Sequence, residues 1–149
     1  MSGLNELYQE ILLEHNSKPR NFRNLEDPSG TAEGYNPLCG DQITLHIKVE
    51  DGVIIDVGFQ GSGCAISRAS ASMMTQSVKG QTLTKAAQVS DAFRQMMTDP
   101  EADLDLDTLG DLESLAGVVE YPTRIKCAVL AWHTLREAMK GSGQSVTTE

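Results

Sequence analysis

An α+β fold is predicted for this chain by two patterns. Apolar residues recur at helical spacing in several separate segments, and one run of strict alternation is followed by a turn dipeptide and a second apolar run. The first helix is expected over residues 4–15, where Leu4, Leu7, Tyr8, Ile11 and Leu12 share one face. It ends near Lys18-Pro19, because proline disfavours the helical conformation in the residue before it. Residues 19–39 are rich in Pro, Gly and Asn and read as a loop. Next, Ile43, Leu45, Ile47 and Val49 alternate with Thr44, His46, Lys48 and Glu50, the pattern of a half-buried strand. Asp51-Gly52 is a hairpin turn signal, and residues 53–60 form the returning strand. Gly61-Ser62-Gly63 then turns the chain into a helix over 65–78 that stops before Gly80. Another helix is expected from about Thr82, which can cap it, to Met97. The last runs from about Arg124 to Met139, with Pro122-Thr123 as its start signal. Residues 141–149 read as a flexible tail, and residues 1–140 as one domain.

At 149 residues and 40% apolar, the chain can bury a real core, although only 5% is aromatic, so aliphatic residues and Met must fill most of it. The net charge of -9 argues against nucleic acid and against an anionic membrane, since both require a basic surface. Residues 99–113 carry acids and no base and read as a solvated stretch. The N-terminus has no signal-peptide pattern, and no apolar run approaches membrane-spanning length. A cytoplasmic protein with reduced thiols is expected. It is expected to be a monomer, because no long exposed apolar stripe is evident.

Three cysteines cannot close a disulfide framework. Cys39 and Asp41 sit together in the turn NPLCGD, at the entry to the first strand of the hairpin; Cys64 lies just past the exit of the second. Antiparallel pairing brings those two ends together. Cys127 falls in the first turn of the last helix, and Cys64 opens the helix over 65–78; a helix start stabilises a thiolate. Three thiols and a carboxylate suit a tetrahedral zinc ion. The spacing contains no C-x-x-C pair, however, and Cys64 and Cys127 read equally as small core residues, Asp41 as a turn carboxylate. Arg124 lies three residues before Cys127, on the same helix face, where it could offset the net charge of −2 on such a site. The three histidines are not assigned to the metal. His46 reads as a surface residue, His15 as a cation at a helix C-terminus, and His133 lies on another helix face from Cys127.

Four stretches carry a family resemblance: LYQEILLEHNSKPRNF (7–22), NPLCGDQITL (36–45), FQGSGCAISRASASMM (59–74) and RIKCAVLAWHTL (124–135). In this order they resemble the IscU/SufU proteins of iron–sulfur cluster assembly, the NifU amino-terminal-like family. The resemblance implies a small antiparallel sheet of about three strands with helices on one side. It implies that Cys39, Asp41, Cys64 and Cys127 form one metal or cluster site. Lys126 stands where the scaffold branch usually has a histidine, and about residues 98–115 look like an inserted segment. Both features resemble the SufU branch. That branch implies zinc and a partner cysteine desulfurase of the SufS type, alongside other cluster assembly proteins. It also implies Cys39 as sulfur acceptor, freed from zinc by ligand exchange with a partner histidine. The scaffold branch implies a transient [2Fe–2S] cluster on the same four residues.

Overall fold

The computed structural model describes residues 2–99, 101, 103–140 and 145–147, and for 2–7, 106 and 145–147 the backbone alone. Helix α1 (Ser2–Ser17) is followed by strands β1 (Gly30–Asn36), β2 (Asp41–Glu50) and β3 (Val53–Ser62). Helices α2 (Ala65–Val78) and α3 (Leu83–Thr98) come next, then the single turn α4 (Leu106–Leu109) and a 3-10 segment (Gly110–Glu120). Helix α5 (Pro122–Lys140) and the short strand β4 (Ser145–Thr147) complete the order.

The alternating run folds as the expected hairpin. Asp51 (φ 52°) and Gly52 (φ 77°) are both left-handed, the pair of angles whose twist matches that of the strands they join. Ile43, Leu45 and Ile47 point from β2 into the core, where they meet Val57 and Phe59 of β3 and the helices behind. Each such side chain contributes roughly 1.5–3 kcal/mol by leaving water.

Residues 30–36, expected as loop, form β1, antiparallel to β2 from Gly30–Ile47 to Asn36–Asp41. The inward side of β1 is Gly30, Ala32, Gly34 and Asn36, all buried. Helix α5 lies directly on this strand. A Cβ on Gly34 would collide with Thr134 Oγ1, and one on Gly30 with the carbonyl of Ala138. Small residues are therefore required where a strand usually carries large ones, and the apolar signal disappears. Strand β4 runs parallel to the outer edge of β1, giving the order β3-β2-β1-β4. It occupies part of the expected tail; residues 141–144, 148 and 149 lie outside the described residues.

Helix α5 crosses α2 and the sheet, and α3 packs against α5. The indole of Trp132 stacks on Phe93 (4.7 Å between centroids, 16°), and its Nε1 donates to Ser70 Oγ at 3.1 Å. The segment after α1 is strapped onto α2: Ser72 Oγ accepts from Arg20 N (2.8 Å), and Asn21 Nδ2 donates to Thr75 Oγ1 (3.1 Å). His46, expected at the surface, is half-buried, and its Nδ1 accepts from Leu25 N at 3.1 Å. No helix among the described residues is long and apolar enough to cross a membrane.

His15 corrects the sequence expectation. It is buried rather than a solvated helix-end cation, and its Nδ1 is hydrogen-bonded to Ser72 Oγ at 2.7 Å. Burial, and then the neighbouring Arg20, hold it below the usual histidine range. A histidine depressed in the folded state supports stability above its unfolded value of about 6.5, and that support is lost as pH falls through the folded value. His15→Gln is therefore expected to flatten the decline in stability between about pH 7 and pH 5. Urea unfolding of both proteins, metal-free, at the two pH values checks this.

Candidate metal centre

The site is assembled where three elements end. The turn between β1 and β2 carries Cys39 and Gly40, and β2 begins at Asp41. Cys64 follows β3 and is the N-cap of α2; its Sγ accepts from Ser67 N at 3.4 Å. Cys127 lies in the second turn of α5 rather than the first, because that helix already begins at Pro122. The helix-terminus argument for a stabilised thiolate thus applies to Cys64 and only weakly to Cys127.

The Sγ atoms of Cys39 and Cys127 and a carboxylate oxygen of Asp41 all lie within 4.8 Å of one another. The two sulfurs are 3.3 Å apart. Cys64 joins them through its backbone, whose N–H donates to Asp41 Oδ1 at 2.8 Å. Asp41 and Cys127 are fully buried, whereas Cys39 and Cys64 are partly exposed. Burial pushes the Cys127 thiol far up, helped by Cys39, Asp41 and Cys64 around it. A thiol so placed stays protonated unless a cation shares the site. Two sulfurs and one oxygen converging on one place fit three of the four positions round a zinc ion; the Cys64 Sγ is outside this close group and is turned to the N-terminus of α2.

Two glycines shape the approach. Gly63 has φ 154°, and a Cβ there would collide with Asp41 Oδ1. Gly40 has φ 71° but faces open space. Arg124 is exposed, and its Nη1 reaches to 3.8 Å from Cys39 Sγ. The thiols of Cys127, then Cys64 and Cys39, hold its guanidinium above the usual arginine value. Lys126 is exposed on the same helix, and no described hydrogen bond or ion pair ties it to the site.

One residue of the site was not legible from the sequence. Asn36 is fully buried, and its Nδ2 donates to Asp41 Oδ2 at 3.0 Å and to Cys127 Sγ at 3.5 Å. Reading 30–36 as a strand would have exposed it, as the last inward position of a small-residue alternation.

The profile of the NifU-like N terminal domain family matches residues 7–128. The chain is 43% identical to the zinc-dependent sulfurtransferase SufU of Bacillus subtilis, over 93% of this chain and 92% of that one. It is 40% identical to the iron–sulfur cluster assembly scaffold protein IscU of Streptococcus pyogenes, over 97% and 90%. A crystal structure from Fervidobacterium islandicum, described as a candidate iron–sulfur cluster assembly scaffold protein for the SUF system, superposes with a TM-score of 0.83 at 32% identity, covering 87% of this chain and 94% of that one. With a fold, a ligand-type residue set and a sequence profile in agreement, this chain belongs to the NifU-like N terminal domain family.

Proposed function

We propose that this protein is a zinc-holding sulfur acceptor of iron–sulfur cluster assembly, taking sulfur from the persulfide of a cysteine desulfurase of the SufS type. Cys39, Asp41, Cys64 and Cys127 are the residues that would hold the metal. Bound there, zinc would keep the thiols deprotonated at neutral pH.

The observation that carries the reading is the asymmetry of the four residues. Asp41, Cys64 and Cys127 each accept a hydrogen bond from an amide N–H: Asp41 from Cys64 N and Asn36 Nδ2, Cys64 from Ser67 N, and Cys127 from Asn36 Nδ2. Cys39 has no amide donor among its described contacts; it sits on a glycine-flanked turn, partly exposed, beside the exposed Arg124. It is the member of the set that can swing out while the other three stay. The freed Cys39 thiolate attacks the terminal sulfur of the partner's persulfide. A new S–S bond forms at Cys39, the partner's S–S bond breaks, and the partner's cysteine departs as thiolate. Arg124 stands where it would steady the negative charge on both sulfurs during the exchange.

A second reading keeps the same four residues as the seat of a [2Fe–2S] cluster. It is favoured by the scaffold relative from Streptococcus pyogenes and by a sulfur-rich ligand set, which suits iron–sulfur clusters as well as zinc. Desulfurase turnover of cysteine separates the two. Zinc-loaded protein is expected to accelerate turnover and metal-stripped protein to leave it at the basal rate. Zinc that has no effect, or inhibits, moves the cluster scaffold ahead.

A further inference from the structure

We infer that Asn36 is a positioning residue of the metal centre, tying its buried oxygen ligand to its buried sulfur ligand. Asn36 closes β1, directly across the ladder from Asp41. One side-chain amide donates to Asp41 Oδ2 and to Cys127 Sγ, so it connects a residue of β2 to one of α5. The other oxygen of Asp41 is taken by the N–H of Cys64, at the head of α2. The carboxylate therefore has a donor on each oxygen, and its plane is set by the strand ladder and the helix cap together.

The second observation is an unsatisfied atom. Asn36 Oδ1 is buried and has no hydrogen-bond partner among the described residues. Burying an acceptor without a donor is destabilising. An aliphatic side chain at this inward strand position would carry no such penalty, so stability alone does not account for an amide here. The two acceptors it serves do account for it. Turning the amide over would set Oδ1 against a carboxylate and a sulfur, both of which need donors.

The consequence lies in what remains when Cys39 is out of the set. Asp41 and Cys127 come from elements far apart in sequence, and the Asn36 amide holds them as a pair without help from Cys39. Removing such an outer partner costs a ligand set roughly 10–100-fold in metal affinity.

This inference rests on the four-residue centre proposed above. The test is zinc affinity, measured by competition with a chromophoric chelator, for the full chain and for Asn36→Ala and Asn36→Asp. Cobalt(II) is substituted in parallel to report the coordination sphere by its absorption. Both variants are expected to lose roughly 10–100-fold in zinc affinity and to show a shifted cobalt spectrum. The aspartate is nearly isosteric, so it decides the question if the alanine variant does not fold. Affinities within about threefold of the parent, with an unchanged cobalt spectrum, overturn the role, even if the variants are less stable without metal. Failure of the parent chain to bind one zinc counts instead against the centre itself.

Discussion

Cys39→Ala is expected to abolish sulfur acceptance while leaving the fold intact. Loss of a nucleophile with no neighbour able to replace it lowers the rate by roughly a thousandfold or more. Cys127 is the nearest substitute, 3.3 Å away, but it is fully buried, so a partner's persulfide does not reach it. Cys64 is occupied as the cap of α2. The variant should unfold close to the parent when both are metal-free, because Cys39 is partly exposed on a turn and fills no core space. The check is mass spectrometry after incubation with desulfurase and cysteine. One added sulfur atom is expected on the parent and none on the variant. A sulfur adduct on the variant removes Cys39 as acceptor.

Gly63→Ala is expected to damage the proposed centre without replacing any of its four proposed ligands. The φ of 154° is one an L-residue rarely adopts, and the added methyl would collide with Asp41 Oδ1, the atom that accepts from Cys64 N. Backbone strain and overpacking together cost about 2–4 kcal/mol. Asp41 is held on its other side by Asn36, so it cannot retreat without giving up that bond. Zinc affinity should fall by at least about tenfold, in line with the loss of other outer partners. Gly40→Ala is the matched control: its φ is also positive, at 71°, but nothing stands where its Cβ would go. It should cost only about 1–2 kcal/mol of backbone strain. Chelator competition and thermal unfolding of the two variants side by side check the contrast. Equal losses in both would mean that strain, not the Asp41 contact, sets the effect.

The hairpin was legible because β2 alternates cleanly and Asp51-Gly52 demands a left-handed turn. The helices were legible because their apolar faces and caps agree, as at Thr82, whose hydroxyl accepts from Lys85 N. Strand β1 was not legible, for a reason that lies elsewhere in the chain. Helix α5 presses so closely on it that Gly30, Ala32 and Gly34 replace the large apolar residues a strand pattern needs. That same omission hid Asn36. His15 misled because a histidine at a helix end resembles a dipole partner; only the packing of α1 on α2 reveals Ser72 beneath it. The placement of Cys39 beside Asp41 could be read from two residues of separation. The approach of Cys127 could not, because it depends on how α5 lies across the sheet.

The packing of Trp132 makes this chain its own optical gauge. It is the sole tryptophan, 3% exposed and stacked flat on Phe93, so its native emission should be blue and should redden only when α3 and α5 part. Its Nε1 bonds to Ser70, whose hydroxyl donates at 2.5 Å to the carbonyl of Ala128, the residue after Cys127. Light from a single indole is thus two hydrogen bonds removed from the turn of α5 that carries Cys127, and no described hydrogen bond links it to the turn of Cys39. Excursions of Cys39 should pass unseen in that signal, while loss of Cys127's footing should register, so one cuvette can tell an opened site from an opened protein.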